Sequence, residues 1–141
     1  METNFNFKSQ PVTSIEQSKR LLALGLKKET ADMVLLKEMV YDEQEHCLKD
    51  GEGYIIRPID YLEGEEHRGH IPAWSLHRLL NLSPESVEQE IPYFTKDGNV
   101  ELVNRDGIVT KAWGGESLYD ALINFFQWLI KEGYFNKEYL V

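Results

Sequence analysis

The chain has 141 residues, 42% apolar and 11% aromatic, which fits one globular domain and excludes a disordered one. Its net charge of −9 and pI of about 4.9 speak against direct nucleic-acid binding and against docking to an anionic membrane, since both need clustered Lys and Arg. The single cysteine, Cys47, forbids an intramolecular disulfide, and no apolar run approaches the ~20 residues of a membrane-spanning helix.

Residues 1–12 read as a flexible arm or short edge strand, with Phe5 and Phe7 alternating and Pro11 as the stop. Met1 to Phe5 lack the basic-then-apolar pattern of a signal peptide, so a bacterial cytoplasmic location is expected. Thr13-Ser14-Ile15-Glu16 fits a capping box that opens a helix over about 14–24, with Gly25 as its stop. Thr30 to Val40 is rich in β-formers and reads as a strand. Asp42 to Gly53 reads as a polar loop ending in the turn signal Asp50-Gly51-Glu52-Gly53, and Tyr54 to Ile59 as the antiparallel partner strand.

Residues 60–71 read as an acidic, His-bearing loop. Pro72 to Leu80 reads as a short helix with Leu76, Leu79 and Leu80 inward, and Ser83-Pro84 as the start of another helical turn. The pairs Asp97-Gly98 and Asp106-Gly107, set between β-rich runs, predict a three-strand meander from Ile91 to Trp113. A last helix is expected over about 117–132, closed by Gly133. Asp120, Asn124, Gln127 and Lys131 form one narrow polar stripe on it, and the rest of its circumference is apolar. Such a helix must be wedged between layers or offer a face to another molecule. The expected fold is therefore one α+β domain over 1–141: a mostly antiparallel sheet of about five strands, three helices, and the C-terminal helix packed on the sheet.

Candidate chemistry is sparse. His67 and His70, with Glu63, Glu65 and Glu66 nearby, could ligate a metal ion, but no ligand cluster returns from elsewhere in the chain, and a solvated loop with two histidines is the simpler expectation. His46 beside Cys47 could pair a base with a thiol. Neighbouring side chains usually point apart, however, and a part-buried structural cysteine is the simpler expectation. No phosphate-binding glycine pattern and no nucleophile elbow is present, and no cofactor is expected. Trp74, Trp113, Trp128 and Phe125 are the candidate interface residues, because large aromatics are favoured where one side is apolar and the other wet.

Three blocks carry a resemblance: Ser14 to Leu21 with Glu29 to Met33, Ile71-Pro72-Ala73-Trp74-Ser75-Leu76 with Leu79-Leu80, and Leu118 to Ala121 with Trp128-Leu129. Together they resemble a family of small proteins from prophages and mobile elements of Bacteroidetes-type gut bacteria. The resemblance implies a mobile-element setting and carries no catalytic residue. The leading expectation is a non-enzymatic interaction protein that binds a protein partner or a second copy of itself through the last helix. One alternative is an acidic mimic of nucleic acid that blocks a DNA-binding protein, using Glu63, Glu65, Glu66, Glu85, Glu88 and Glu90. The other is a small hydrolase or metal-dependent enzyme built on the His46–His70 region.

Overall fold

The computed structural model describes residues 9–62 and 70–141. The expectations placed on Phe5, Phe7, Glu63, Glu65, Glu66 and His67 lie outside these residues. Helix α1 spans Ile15–Ala23, followed by strands β1 (Met33–Asp42), β2 (Cys47–Pro58) and β3 (Ile71–Ala73). Helix α2 spans Leu76–Leu82; strands β4 (Ile91–Phe94), β5 (Val100–Val103) and β6 (Val109–Trp113) precede helix α3, Leu118–Glu132. The architecture is α+β, as expected. The described strands are six rather than five, and they form two antiparallel three-stranded sheets, ordered β2-β1-β3 and β4-β5-β6.

Several local readings are corrected by contacts distant in sequence. The box that opens α1 is formed by Ser14 and Gln17, not Thr13 and Glu16. Thr13 is committed elsewhere: its buried hydroxyl accepts from the Trp74 amide (3.1 Å) and shares a 2.7 Å hydrogen bond with Ser18. Pro72 does not open a helix. It lies in β3, which pairs with Met33 to Leu35, and α2 begins only after Ser75. Ser83 closes α2 instead of starting a further turn.

Asp32 explains where α2 starts. Its carboxylate accepts from the Ser75 amide at 2.9 Å and from the Ser75 hydroxyl at 2.5 Å. The same hydroxyl accepts from the Arg78 amide, capping the helix. Beside it, the Trp74 indole N–H donates to Thr30 Oγ1 at 3.0 Å. The blocks around Thr13, Thr30 and Ile71-Pro72-Ala73-Trp74-Ser75-Leu76 therefore meet in one structural junction. Asp32→Ala is expected to cost about 1–3 kcal/mol by leaving the Ser75 amide and hydroxyl without their acceptor. Urea denaturation measures this, and an unchanged midpoint would remove Asp32 from the account.

Helix α3 is wedged inside the chain. Tyr119, Ala121, Leu122, Ile123, Phe125, Phe126 and Leu129 are buried, packed with Val100 and Leu102 of β5 and with Leu21, Trp74, Leu79 and Phe135. Even the polar stripe is covered in part by α1. Gln17 donates to Asp120 (2.8 Å), and Arg20 donates to Asn124 (2.5 Å) and Gln127 (2.9 Å). The helix's apolar arc is thus consumed within one chain. Phe125 is fully buried, which corrects its reading as an interface residue.

Candidate protein-interaction surface

Apolar surface that the described residues leave uncovered lies on the β1–β2 hairpin. Near the body, β1 is anchored: Leu35 packs with Val12, Ile15, Ile56, Ile71 and Ala73, and Val34 is fully buried. Beyond Lys37 the register changes. Lys37 pairs with Tyr54 and Met39 pairs with Asp50, so Gly51-Glu52-Gly53 faces Glu38 alone. A Cβ on Gly51 would lie 2.8 Å from Val40 Cγ2, and one on Gly53 would lie 2.9 Å from Glu38 Oε2. The glycines admit this close approach. They do not make the turn that their spacing predicts.

Past this irregularity the two strands leave the body as an arm. Met39 and Val40 are consecutive, so their side chains point to opposite faces, and they are 51% and 50% exposed. Among the described residues no other layer covers either face of the outer arm. The pairs Met39–Asp50 and Tyr41–Leu48 share one face, and Tyr41 and Leu48 are 55% and 61% exposed. Three large apolar side chains thus form a strip in water. The other face carries Val40–Lys49 and Asp42–Cys47.

The tip, Glu43 to His46, is closed by the Asp42 carboxylate, which accepts from the amides of Gln44 (2.8 Å) and Glu45 (3.2 Å). Lys49 Nζ bridges Asp42 (3.2 Å) and Glu45 (2.6 Å). His46 takes a left-handed backbone (φ 51°). The Glu45 amide, then Lys49, then the Gln44 amide hold the Asp42 carboxyl below the usual carboxylate range. Glu45 and then Asp42 hold Lys49 above the usual lysine range. The signs follow. Asp42's contribution to tip order is present above the ordinary carboxylate range and lost as pH falls through its lowered pKa. Lys49's is present below the ordinary lysine range and lost as pH rises through its raised pKa. Amide protection at Gln44 and Glu45 is therefore expected to persist through mild acid and vanish in strong acid. Its disappearance well above the carboxylate range, read by NMR hydrogen exchange, would contradict the clasp.

The other candidates fall as follows. Cys47 is exposed, correcting the expected part-buried position, and its Sγ lies 4.0 Å from Glu45 Oε2 rather than against a histidine. His46 sits at the arm's tip, whereas His70 precedes Ile71, which pairs with Leu35 at the other end of β1. Seven residues of strand, roughly 20 Å at ~3.3 Å each, separate the two ends, so the fold does not bring these histidines together. Among the described residues no group of three or more His, Cys, Asp or Glu side chains could hold a metal ion. Of the acidic-mimic residues, Glu88 accepts from the Tyr134 hydroxyl and Glu90 from the Thr110 hydroxyl, both at 2.5 Å.

Trp74 is fully buried in the core, which corrects its reading as an interface residue. Trp113 and Trp128 are partly buried, tilted against one another (centroids 5.1 Å, 46° between planes) on the core's margin. A second exposed patch lies on the β4-β5-β6 face turned away from α3, where Ile91 and Val109 flank Val103 and Tyr93 lies beside Glu101. A hollow of about 660 Å³ between Lys27, Thr30, Arg78 and Tyr139 carries no nucleophile paired with a base.

Sequence reasoning missed the arm because Met39-Val40-Tyr41 reads as the end of a core strand. The available signal was three consecutive apolar residues inside an acidic stretch, which no single buried face can accommodate. No family model matches the chain, and no curated protein or solved structure does. No helix among the described residues is long and apolar enough to cross a membrane.

Proposed function

We propose that the chain is a non-enzymatic interaction protein that engages a protein partner through the β1–β2 arm, in the prophage or mobile-element setting that its sequence blocks resemble. The observation that carries this reading is the exposure of Met39, Val40, Tyr41 and Leu48 on both faces of a hairpin held clear of the core. A two-stranded ribbon alone is marginally stable, and an uncovered apolar strip on it costs solubility. A partner that covers it removes both costs. The internal burial of α3 moves the interaction from the helix to the arm.

The test places a photo-reactive amino acid at position 48 and, as control, at exposed Lys131 on α3, in a bacterial host. A discrete adduct is expected from position 48 only, and Tyr41→Glu should abolish it. Adducts from both positions alike, or from neither, would take the arm out of the interaction.

A further inference from the structure

The arm carries more information than its apolar strip. Residues 38–52 hold six carboxylates (Glu38, Asp42, Glu43, Glu45, Asp50, Glu52) and one ammonium, Lys49. That is a net charge of −5 in fifteen residues, more than half of the chain's −9. The acidity is concentrated here and is not spread as a uniform solubilising coat. In addition, the sheet order β2-β1-β3 leaves β2 as an edge strand twelve residues long. Edge strands present unpaired N–H and C=O groups to any chain that can lie alongside.

Resting on the arm reading above, we infer that the β2 edge receives an extended, cationic protein segment with alternating apolar residues, added to the sheet as a further strand. Main-chain hydrogen bonds to β2 supply the pairing. Alternate apolar side chains of the incoming strand lie beside Leu48 and cover the strip it forms with Tyr41 and Met39. Its Lys or Arg residues fall on the opposite face, towards Asp42 and the tip carboxylates. The charge also selects against self-association. Two arms of −5 each repel when paired edge to edge, and like charges placed opposite one another on neighbouring strands are destabilising. The carboxylates that keep two copies apart attract a strand of opposite sign.

The experiment uses the full chain and two capped synthetic peptides of about ten residues, one alternating Lys with Val and one alternating Glu with Val. The Lys peptide is expected to bind with backbone amide shifts centred on Cys47 to Pro58, weakening on the order of tenfold between about 50 and about 300 mM salt. The Glu peptide should not bind. N-methylation of alternate nitrogens along one edge of the Lys peptide should abolish binding, and along its other edge should not. The variant carrying Tyr41→Thr and Leu48→Thr, which removes the apolar strip without adding charge, should keep its melting temperature and bind on the order of tenfold more weakly or worse. Equal binding of both peptides overturns the cationic partner while leaving the arm reading intact. Indifference to both methylation patterns overturns strand addition, leaving only diffuse charge attraction. A concentration-dependent dimer with shifts at β2 makes the occupant a second copy and overturns the inference. Absence of peptide binding, together with absence of an adduct from position 48, overturns the inference and the arm reading together.

Discussion

Replacing Trp74 with alanine is expected to lower stability by about 3–5 kcal/mol, out of the ~5–15 kcal/mol that typically hold a domain. The ring is fully buried in the cluster that contains Leu21, Leu79, Leu122 and Phe126, so its removal leaves a cavity that neighbours on separate elements cannot easily fill. The bonds through its backbone survive: the amide still donates to Thr13 Oγ1, and the carbonyl still accepts from the Thr13 amide at 2.9 Å. What disappears is the ring and its N–H bond to Thr30. Trp74→Phe separates the two. It keeps most of the apolar volume, and the Thr30 hydroxyl still donates to the Lys27 carbonyl, so the cost should be nearer 1–2 kcal/mol. Urea denaturation followed by circular dichroism reads both variants. Equal losses for alanine and phenylalanine would mean that the hydrogen bond, not packing, fixes the junction.

Much of this fold was legible locally. Helix α3 announced itself by its periodicity and by its ends: Ser117 caps it, and Gly133 closes it at φ 81°. The meander was legible from its Asp-Gly pairs, because Gly98 and Gly107 adopt the left-handed backbone that those turns require (φ 83° and 77°). The illegible parts were decided by distant residues. Gly51 and Gly53 look like a turn until Glu38 is placed against them. Pro72 looks like a helix opening until the Trp74-Ser75 backbone is held by Thr13 and Asp32, 61 and 43 residues earlier. The candidate surface was hidden for another reason. Met39, Tyr41 and Leu48 have the composition of a core, and only the tertiary structure shows that no layer of the described residues covers them. Side-chain type says what a residue would gain by burial, and the tertiary structure says whether that burial is supplied.

Phe125 tests the same distinction from the opposite side. Phe125→Ala is expected to cost about 3–5 kcal/mol, because its fully buried ring joins α3 to the second sheet. Its centroid lies 4.8 Å from that of Trp113 on β6, a tilted contact of the kind that adds to simple area burial. Phe125→Leu should cost less, about 1–2 kcal/mol, since volume and apolar character are largely kept. Trp128→Ala should also cost less than Phe125→Ala. Trp128 is only partly buried, between Trp113, Tyr134 and the Lys111 ammonium (5.5 Å from the ring), and its neighbours can close over the site. A true interface residue behaves otherwise: truncation spares the isolated chain and weakens association. Thermal melts paired with sedimentation therefore separate the two roles. Phe125→Ala should lower the melting temperature without changing the mass in solution, and unaltered stability with a changed mass would return α3 to the surface. The physical reason is geometric. Once α1, β5 and β6 have taken up most of the apolar arc, α3 keeps only partly covered side chains such as Trp128, and its large rings act in folding rather than in association.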